Sequence, residues 1–254
     1  MTMDAVRTRW AAGEPAFALW LTLDGAGAAA TAAAAGPDAV VVDLQHGHAT
    51  IQDFPHLLAA IEPTPAMPFV RASANDPAEL MRALDLGARG VICPMVGSQA
   101  EAEAFVGACR YPPAGTRSYG PIHAAFGRGR EQTESAESAV LLFAMIETAD
   151  GLAAADEIAA TPGLDALFVG PADLSLATGL EKLADLTDPD LLKLLGTIVE
   201  IADRHGIVAG VHAPAPPRAA EMAARGFRFV SCAVDDDLLA TAAAEAVRAA
   251  RDTR

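Results

Sequence analysis

The chain has 254 residues, with 18 Lys and Arg against 33 Asp and Glu, a formal charge of −15. That balance argues against a nucleic-acid binder, which needs a basic footprint for phosphates. Apolar residues make up 52% and charged ones 20%, a globular composition, and the length suits one large α/β domain or two small ones.

From the amino end, Met1 to Trp10 carries Asp4, Arg7 and Arg9 and lacks the apolar core of a secretory signal, so a cytoplasmic protein is expected. Short apolar runs then recur at Phe17–Leu23, Ala39–Leu44, Pro68–Ala72, Gly90–Val96, Leu141–Ile146, Ala166–Val169, Ile207–Val211 and Phe227–Val234. Segments of helical period separate them, which is the βαβα pattern of a parallel sheet. The runs are continuously apolar, as in VVV at 40–42 and LLFAMI at 141–146, and so read as strands covered on both faces. Eight strands close a (β/α)8 barrel, the expected fold over a single domain, 1–254. A miscount by one would instead leave a doubly wound sheet.

Between these runs, Gly25 to Pro37 is mostly Ala and reads as a small-residue helix against the sheet, too weakly apolar to span a membrane. Tyr111 to Arg130 is rich in Pro and Gly, and an irregular segment of that length inside a compact domain is usually functional. The tail Asp235 to Arg254 is Ala-rich and helical, able to pack on its own barrel or on a neighbour. Cys93, Cys109 and Cys232 show no CxxC spacing, which points to neither a disulfide framework nor a zinc site. The only lysines, Lys182 and Lys193, lie in polar or helical surroundings, whereas Schiff-base chemistry needs a buried lysine. No Gly-Lys-Ser/Thr motif occurs, so a P-loop is not supported.

In a parallel barrel the chemistry sits at the carboxyl ends of the strands and in the loops that follow. Those places hold Asp43, Gln45 and His46 after the second run, Arg71 after the third, Glu147 after the fifth, and Ala172 and Asp173 after the sixth. Singly, each has a bland reading. Glu147 or Asp173 could cap a helix, His46 could cap or pack, His48 reads as solvated, and Asp85 within AELMRALDLGARG reads as a surface charge. Arg71, ending the apolar PFVRA, is harder to dismiss, because a guanidinium there usually meets an anion. Gly25 to Ala30 imitates a dinucleotide fingerprint, but in so Ala- and Gly-rich a stretch the match is cheap, and Asp24 would oppose a pyrophosphate.

DLQHG at 43–47, RYPPAGTRSYGP at 110–121, IETADGLAAADEIAATPGLDALFVGPADLS at 146–175 and GFRFVSCAVDDDLL at 226–239 together resemble the HpcH/HpaI family of metal-dependent pyruvate aldolases. The resemblance implies a (β/α)8 TIM barrel of the phosphoenolpyruvate/pyruvate-superfamily type. It also implies a C-terminal helix exchanged between subunits of a homo-oligomer, a trimer or hexamer. By the same resemblance Glu147 and Asp173 hold a divalent ion, Mg²⁺, Mn²⁺ or Co²⁺, with no organic cofactor. Asp173 and Ala172 help seat the 2-oxo acid through backbone amides. Arg71 stabilises the enolate oxygen, His46 is the base, and Asp85 raises the basicity of that histidine, reached across a subunit interface. Asp43 and Gln45 stand behind these groups. One departure is Met145, where the best-known members carry Gln two residues before the metal-binding Glu.

The implied reaction is reversible cleavage of a 4-hydroxy-2-oxo acid to pyruvate, or hydroxypyruvate, and an aldehyde. A 2-oxo acid offers two hard oxygens that suit an ion held by only two carboxylates, and that ion does the work of the missing lysine. An imidazole changes charge near neutrality and suits proton transfer. Acceptor choice is expected from Ser118, His123 and His212 by position. Alternatives are a citrate-lyase β-like acyl-CoA lyase, which would need a basic landing site for CoA, a non-catalytic 2-oxo-acid-binding protein, and a nicotinamide-dependent oxidoreductase resting on the Gly25 stretch. The partners expected are small molecules and copies of the chain, with no nucleic acid and no membrane.

Overall fold

The computed structural model describes residues 4–120 and 139–252. In chain order it runs α1 (Ala5–Ala11), β1 (Ala16–Leu21), α2 (Ala26–Ala34), β2 (Ala39–Asp43), α3 (Phe54–Ile61), β3 (Met67–Arg71), α4 (Pro77–Leu86), β4 (Gly90–Cys93), α5 (Gln99–Cys109) and β5 (Leu141–Ile146). It continues with α6 (Ala149–Ala153), α7 (Ala155–Ala159), β6 (Ala166–Val169), α8 (Pro171–Ala177), α9 (Pro189–His205), β7 (Val208–His212), α10 (Pro216–Ala224), β8 (Phe229–Val234) and α11 (Asp235–Asp252). The strands pair in sequential order and close, β8 returning to β1, all parallel. The (β/α)8 barrel is therefore the fold, and the doubly wound alternative falls. Two strands have the bounds expected from sequence. The others shift by one to three residues at an end, because apolar residues continue past the last ladder hydrogen bond.

Helix ends follow local chemistry. Asp76 caps α4 through the amides of Ala78 and Glu79, Pro77 opens it, and Gly87 closes it at φ 116°, a left-handed residue that favours glycine. Asp188, Pro189 and Gly206 do the same for α9. Helix α2 buries Ala29 and Ala33, as its small residues predict. Gly25 and Gly27 at its start are exposed, and an added Cβ would meet nothing within 4 Å. The dinucleotide fingerprint needs its glycines for close approach, so in this closed barrel the match has no such meaning.

One core lies between strands and helices, and a second fills the barrel. Inside, Trp10, Phe69, Phe143, Phe168, Phe229 and Trp20 form a continuous aromatic column with centroid separations of 4.9–6.5 Å. At the amino end α1 closes the column. The Trp10 indole donates to the Arg228 carbonyl (2.7 Å) and Arg7 to the Ala139 carbonyl (3.1 Å). The rings fit because the paired position on the neighbouring strand offers no side chain. A Cβ at Gly90 would lie 2.1 Å from Phe69 Cε1, and one at Gly210 would lie 2.7 Å from Phe168. The barrel is a packed cylinder with a solid floor, and in this fold the carboxyl end is where ligands are held. No helix among the described residues is long and apolar enough to cross a membrane.

Two glycine substitutions are expected to act with opposite sign in urea denaturation. Gly90→Ala overpacks the column and lowers stability by about 1–3 kcal/mol. Gly196→Ala, in the middle of α9 with open space around it, raises it by about 0.5–1 kcal/mol through helix propensity.

Candidate active site

Strand register builds the first half of the site. In the β2–β3 ladder Asp43 pairs with Arg71, each the last residue of its strand, so carboxylate and guanidinium stand side by side at the rim. Asp43 is 1% exposed and Arg71 8%. Asp43 Oδ1 accepts from Arg71 Nε (2.9 Å) and from the backbone amides of Gln45 (3.0 Å) and His46 (3.1 Å). Its Oδ2 accepts from Arg71 Nη2 and from the Trp20 indole (3.1 Å). Burial pushes the Asp43 carboxyl up, but the Arg71 hydrogen bonds and charge, with Trp20 and the amides, hold it below the ordinary carboxylate range. The Arg71 guanidinium also lies over the Trp20 ring, 5.2 Å from its centroid. Two of its nitrogens, Nε and Nη2, are engaged by Asp43.

Glu147, the residue after β5, builds the second half. It is 2% exposed, with Oε1 accepting from the Met95 amide at 2.7 Å. Oε2 is buried and has no partner among the described residues. Burial pushes its carboxyl up to about 7, the Met95 amide opposes, and the Asp173 charge raises it further. The carboxylate lies against Gly170, where a Cβ would be 2.5 Å from Oε2 and 2.6 Å from Met145 Cε. Gly170 then starts α8 without a side-chain cap, which places Ala172 and Asp173 in the exposed first turn. Among the described residues no group of three or more His, Cys, Asp or Glu is arranged to hold a metal. Glu147 and Asp173 form a smaller donor set. An orphaned buried carboxylate oxygen beside a second, accessible carboxylate fits a hard divalent cation whose other positions stay open.

The two halves meet across a cavity of about 260 Å³, whose wall includes Trp20, Thr22, Asp43, His46, Arg71, Met145, the 170–173 segment, His212 and Val234. His46 is exposed at the mouth, on the loop that Asp43 holds. Gln45 is half-buried, with a buried Oε1 that has no partner among the described residues. His212 ends β7 and accompanies Trp20, edge to ring, at 4.8 Å.

Two expected residues lie elsewhere within the chain, and a third is not described. Within the chain Asp85 is not brought to His46. It is on α4, ion-paired at 2.7 Å with Arg117, whose guanidinium covers the Tyr111 ring. Ser118 is exposed and gives its amide to Met81 sulfur, away from the cavity. His123 lies outside the described residues. Conversely, the sequence reading passed over Trp20, the Met95 amide and Ser231. Trp20 precedes the end of β1 rather than following it, whereas barrel logic points to strand ends and the loops after them. Its indole, rare in this chain, was the available signal.

The sequence profile of the HpcH/HpaI aldolase/citrate lyase family matches residues 16–242. A hydroxypyruvate/pyruvate aldolase from Rhizorhabdus wittichii is 39% identical over 249 residues, covering 98% of this chain and 99% of its own. A 2-dehydro-3,6-dideoxy-6-sulfogluconate aldolase from Pseudomonas putida is 36% identical over 228 residues, 89% of each chain. The crystal structure of an HpcH/HpaI aldolase/citrate lyase family protein from Burkholderia cenocepacia superposes with a TM-score of 0.89 at 31% identity, covering 98% of this chain and 100% of that one. With the barrel, the strand-end arginine and the paired carboxylates in place, the chain belongs to the HpcH/HpaI aldolase/citrate lyase family and is an enzyme of the aldolase class.

Proposed function

We propose that the site reversibly cleaves a 4-hydroxy-2-oxo acid into pyruvate, or hydroxypyruvate, and an aldehyde. The observation that carries this reading is the orphaned Oε2 of Glu147 beside Asp173, facing a guanidinium already locked by Asp43. Glu147 and Asp173 would hold a divalent ion, with Mg²⁺, Mn²⁺ and Co²⁺ all suited to the oxygen donors. When bound, such an ion supplies Lewis-acid polarisation of the 2-oxo group. The amides of Ala172 and Asp173 seat the substrate carboxylate.

Arg71 Nη1 faces the 2-oxo oxygen, where negative charge develops as the C3–C4 bond breaks and its electron pair enters the 2-oxo unit. Because Asp43 and Trp20 fix the guanidinium beforehand, no reorganisation is needed as that charge appears. His46, at the cavity mouth, takes the proton of the C4 hydroxyl as that carbon becomes the aldehyde, and one proton is returned to C3 of the resulting enolate to give pyruvate; addition runs both transfers in reverse. Met145 gives the pocket a thioether wall instead of an amide. The wall has no basic side chain besides Arg71 and the histidines among the described residues, which disfavours a CoA thioester.

The reading extends to assembly, with residues 1–254 acting as one barrel domain in a cytoplasmic homo-oligomer, a trimer or hexamer. Helix α11 has no buried residue and exposes Leu238, Leu239 and Val247, which supports its exchange onto a neighbouring copy, and that interface would be where Asp85 reaches His46. Sedimentation should give a trimeric or hexameric mass that falls to the monomer in a Leu238→Glu/Leu239→Glu variant. An unchanged mass would rule that helix out of the assembly.

Pyruvate release from a panel of 4-hydroxy-2-oxo acids, coupled to lactate dehydrogenase, tests the reaction. EDTA-stripped protein should be inactive, Mn²⁺ or Mg²⁺ should restore it, and Glu147→Ala should not be restored. Arg71→Lys, which cannot make the paired contacts to Asp43, should lose about 10²–10³-fold in kcat. Turnover indifferent to chelation would defeat the scheme. Because Glu147 must ionise to bind a cation, Mn²⁺ affinity measured by electron paramagnetic resonance should strengthen as pH rises from 6 to 8. A Glu147→Gln variant should bind weakly and with a flat profile over that range.

A further inference from the structure

His212 has no part in the scheme above, yet its imidazole lines the cavity and is held from the neighbouring strand. Its Nδ1 lies 2.9 Å from Ser231 Oγ on the neighbouring strand. Ser231 is fully buried, and its oxygen already accepts the amide of Ala213 at 3.1 Å. The hydroxyl hydrogen therefore has one acceptor within reach, the ring nitrogen. Were Nδ1 protonated instead, that hydrogen would be left buried without a partner. The serine thus selects the tautomer with the proton on Nε2, and Nε2 has no partner among the described residues on a half-buried ring that lines the cavity. Burial, and then the charge of Arg71, push the imidazole down to about 4, with Asp43 opposing, so the ring is uncharged at neutral pH.

A neutral N–H does not offset the charge of a carboxylate or phosphate, but it matches a hydroxyl oxygen. Position then selects which hydroxyl. Trp20 carries Arg71 on its face, at 5.2 Å, and His212 against it, at 4.8 Å, so His212 stands beside the group that faces the 2-oxo oxygen, next to C3 of the donor. We propose that His212, held by Ser231 as the Nε2–H tautomer, is a neutral hydrogen-bond donor to a hydroxyl on C3 of the 2-oxo acid, so that the pocket favours a 3-hydroxy-2-oxo acid over the unsubstituted one. This rests on the aldolase reading of the same site and moves His212 from acceptor choice, where its position in the sequence had put it, to donor choice.

The test compares 3-hydroxypyruvate with pyruvate as donors to one aldehyde, glycolaldehyde, on Mn²⁺-loaded protein. In His212→Phe, which keeps an aromatic ring against Trp20, the ratio of kcat/KM for hydroxypyruvate to that for pyruvate should fall about tenfold, mainly through KM. His212→Gln, which returns an N–H, should recover part of it, and Ser231→Ala should lower the ratio by freeing the tautomer. A second readout needs no turnover. In protein labelled with [¹⁵N]histidine and loaded with Mg²⁺, the His212 resonances should show protonated Nε2 and bare Nδ1, with Nε2 shifting on addition of hydroxypyruvate and not of pyruvate. That shift without turnover of either donor by the parent enzyme would uphold the inference while removing the aldolase reading. A donor ratio unchanged in His212→Phe, a protonated Nδ1, or discrimination that appears among aldehydes and not among donors would overturn it.

Discussion

The pairing of Asp43 with Arg71 is the interaction on which the site depends. Buried ion pairs seldom add net stability, because desolvating both ions offsets their attraction, so this one is better understood by what it orients. One carboxylate takes five hydrogen bonds, from the guanidinium, the Trp20 indole and two amides of the loop that carries His46. Each partner comes from a different part of the rim, and none can move without leaving a buried acceptor short. The parallel ladder between β2 and β3 makes the arrangement possible, since it brings Asp43 level with Arg71.

The barrel floor serves the same end by filling space. Phenylalanines interlock where Gly90 and Gly210 withhold side chains, and Trp20 is the last ring of that column, stacked on Phe168. The position of the guanidinium is thereby coupled to the packing of the whole interior. Gly170 repeats the device at the other side of the cavity, where a missing Cβ gives the Glu147 carboxylate its place.

The alternation of apolar runs and helical segments made the fold legible, and barrel logic made the strand-end residues legible with it. Arg71 could be picked out because a guanidinium closing an apolar strand has few structural uses, and Glu147 by its place after β5 together with the IETADG motif of the resemblance. Trp20 and Ser231 were hidden for the converse reason. Inside a barrel strand an indole or a hydroxyl looks like ordinary packing, and only closure of the sheet shows that one meets Asp43 and the other His212. Asp85 shows the limit of motif reasoning in a single chain. Its partner here, Arg117, is 32 residues away on an irregular segment, a pairing that no local periodicity encodes.

The two buried carboxylates answer burial in opposite ways, and that contrast explains the division of labour. Asp43 has its compensating cation within the chain and stays ionised. Glu147 has only one amide, and its folded pKa rises from 4.5 to about 7. With the folded value above the unfolded one, its favourable contribution is present in full below about pH 4.5 and is lost as pH rises through 7. At neutral pH the ligand-free fold therefore carries an uncompensated carboxylate, and a cation that binds there offsets the cost and stabilises the native state by mass action. The Arg71 charge opposes that rise but does not cancel it. With its arginine paired on one side and one oxygen of its glutamate without a partner among the described residues on the other, the chain leaves a place that a cation from outside would complete.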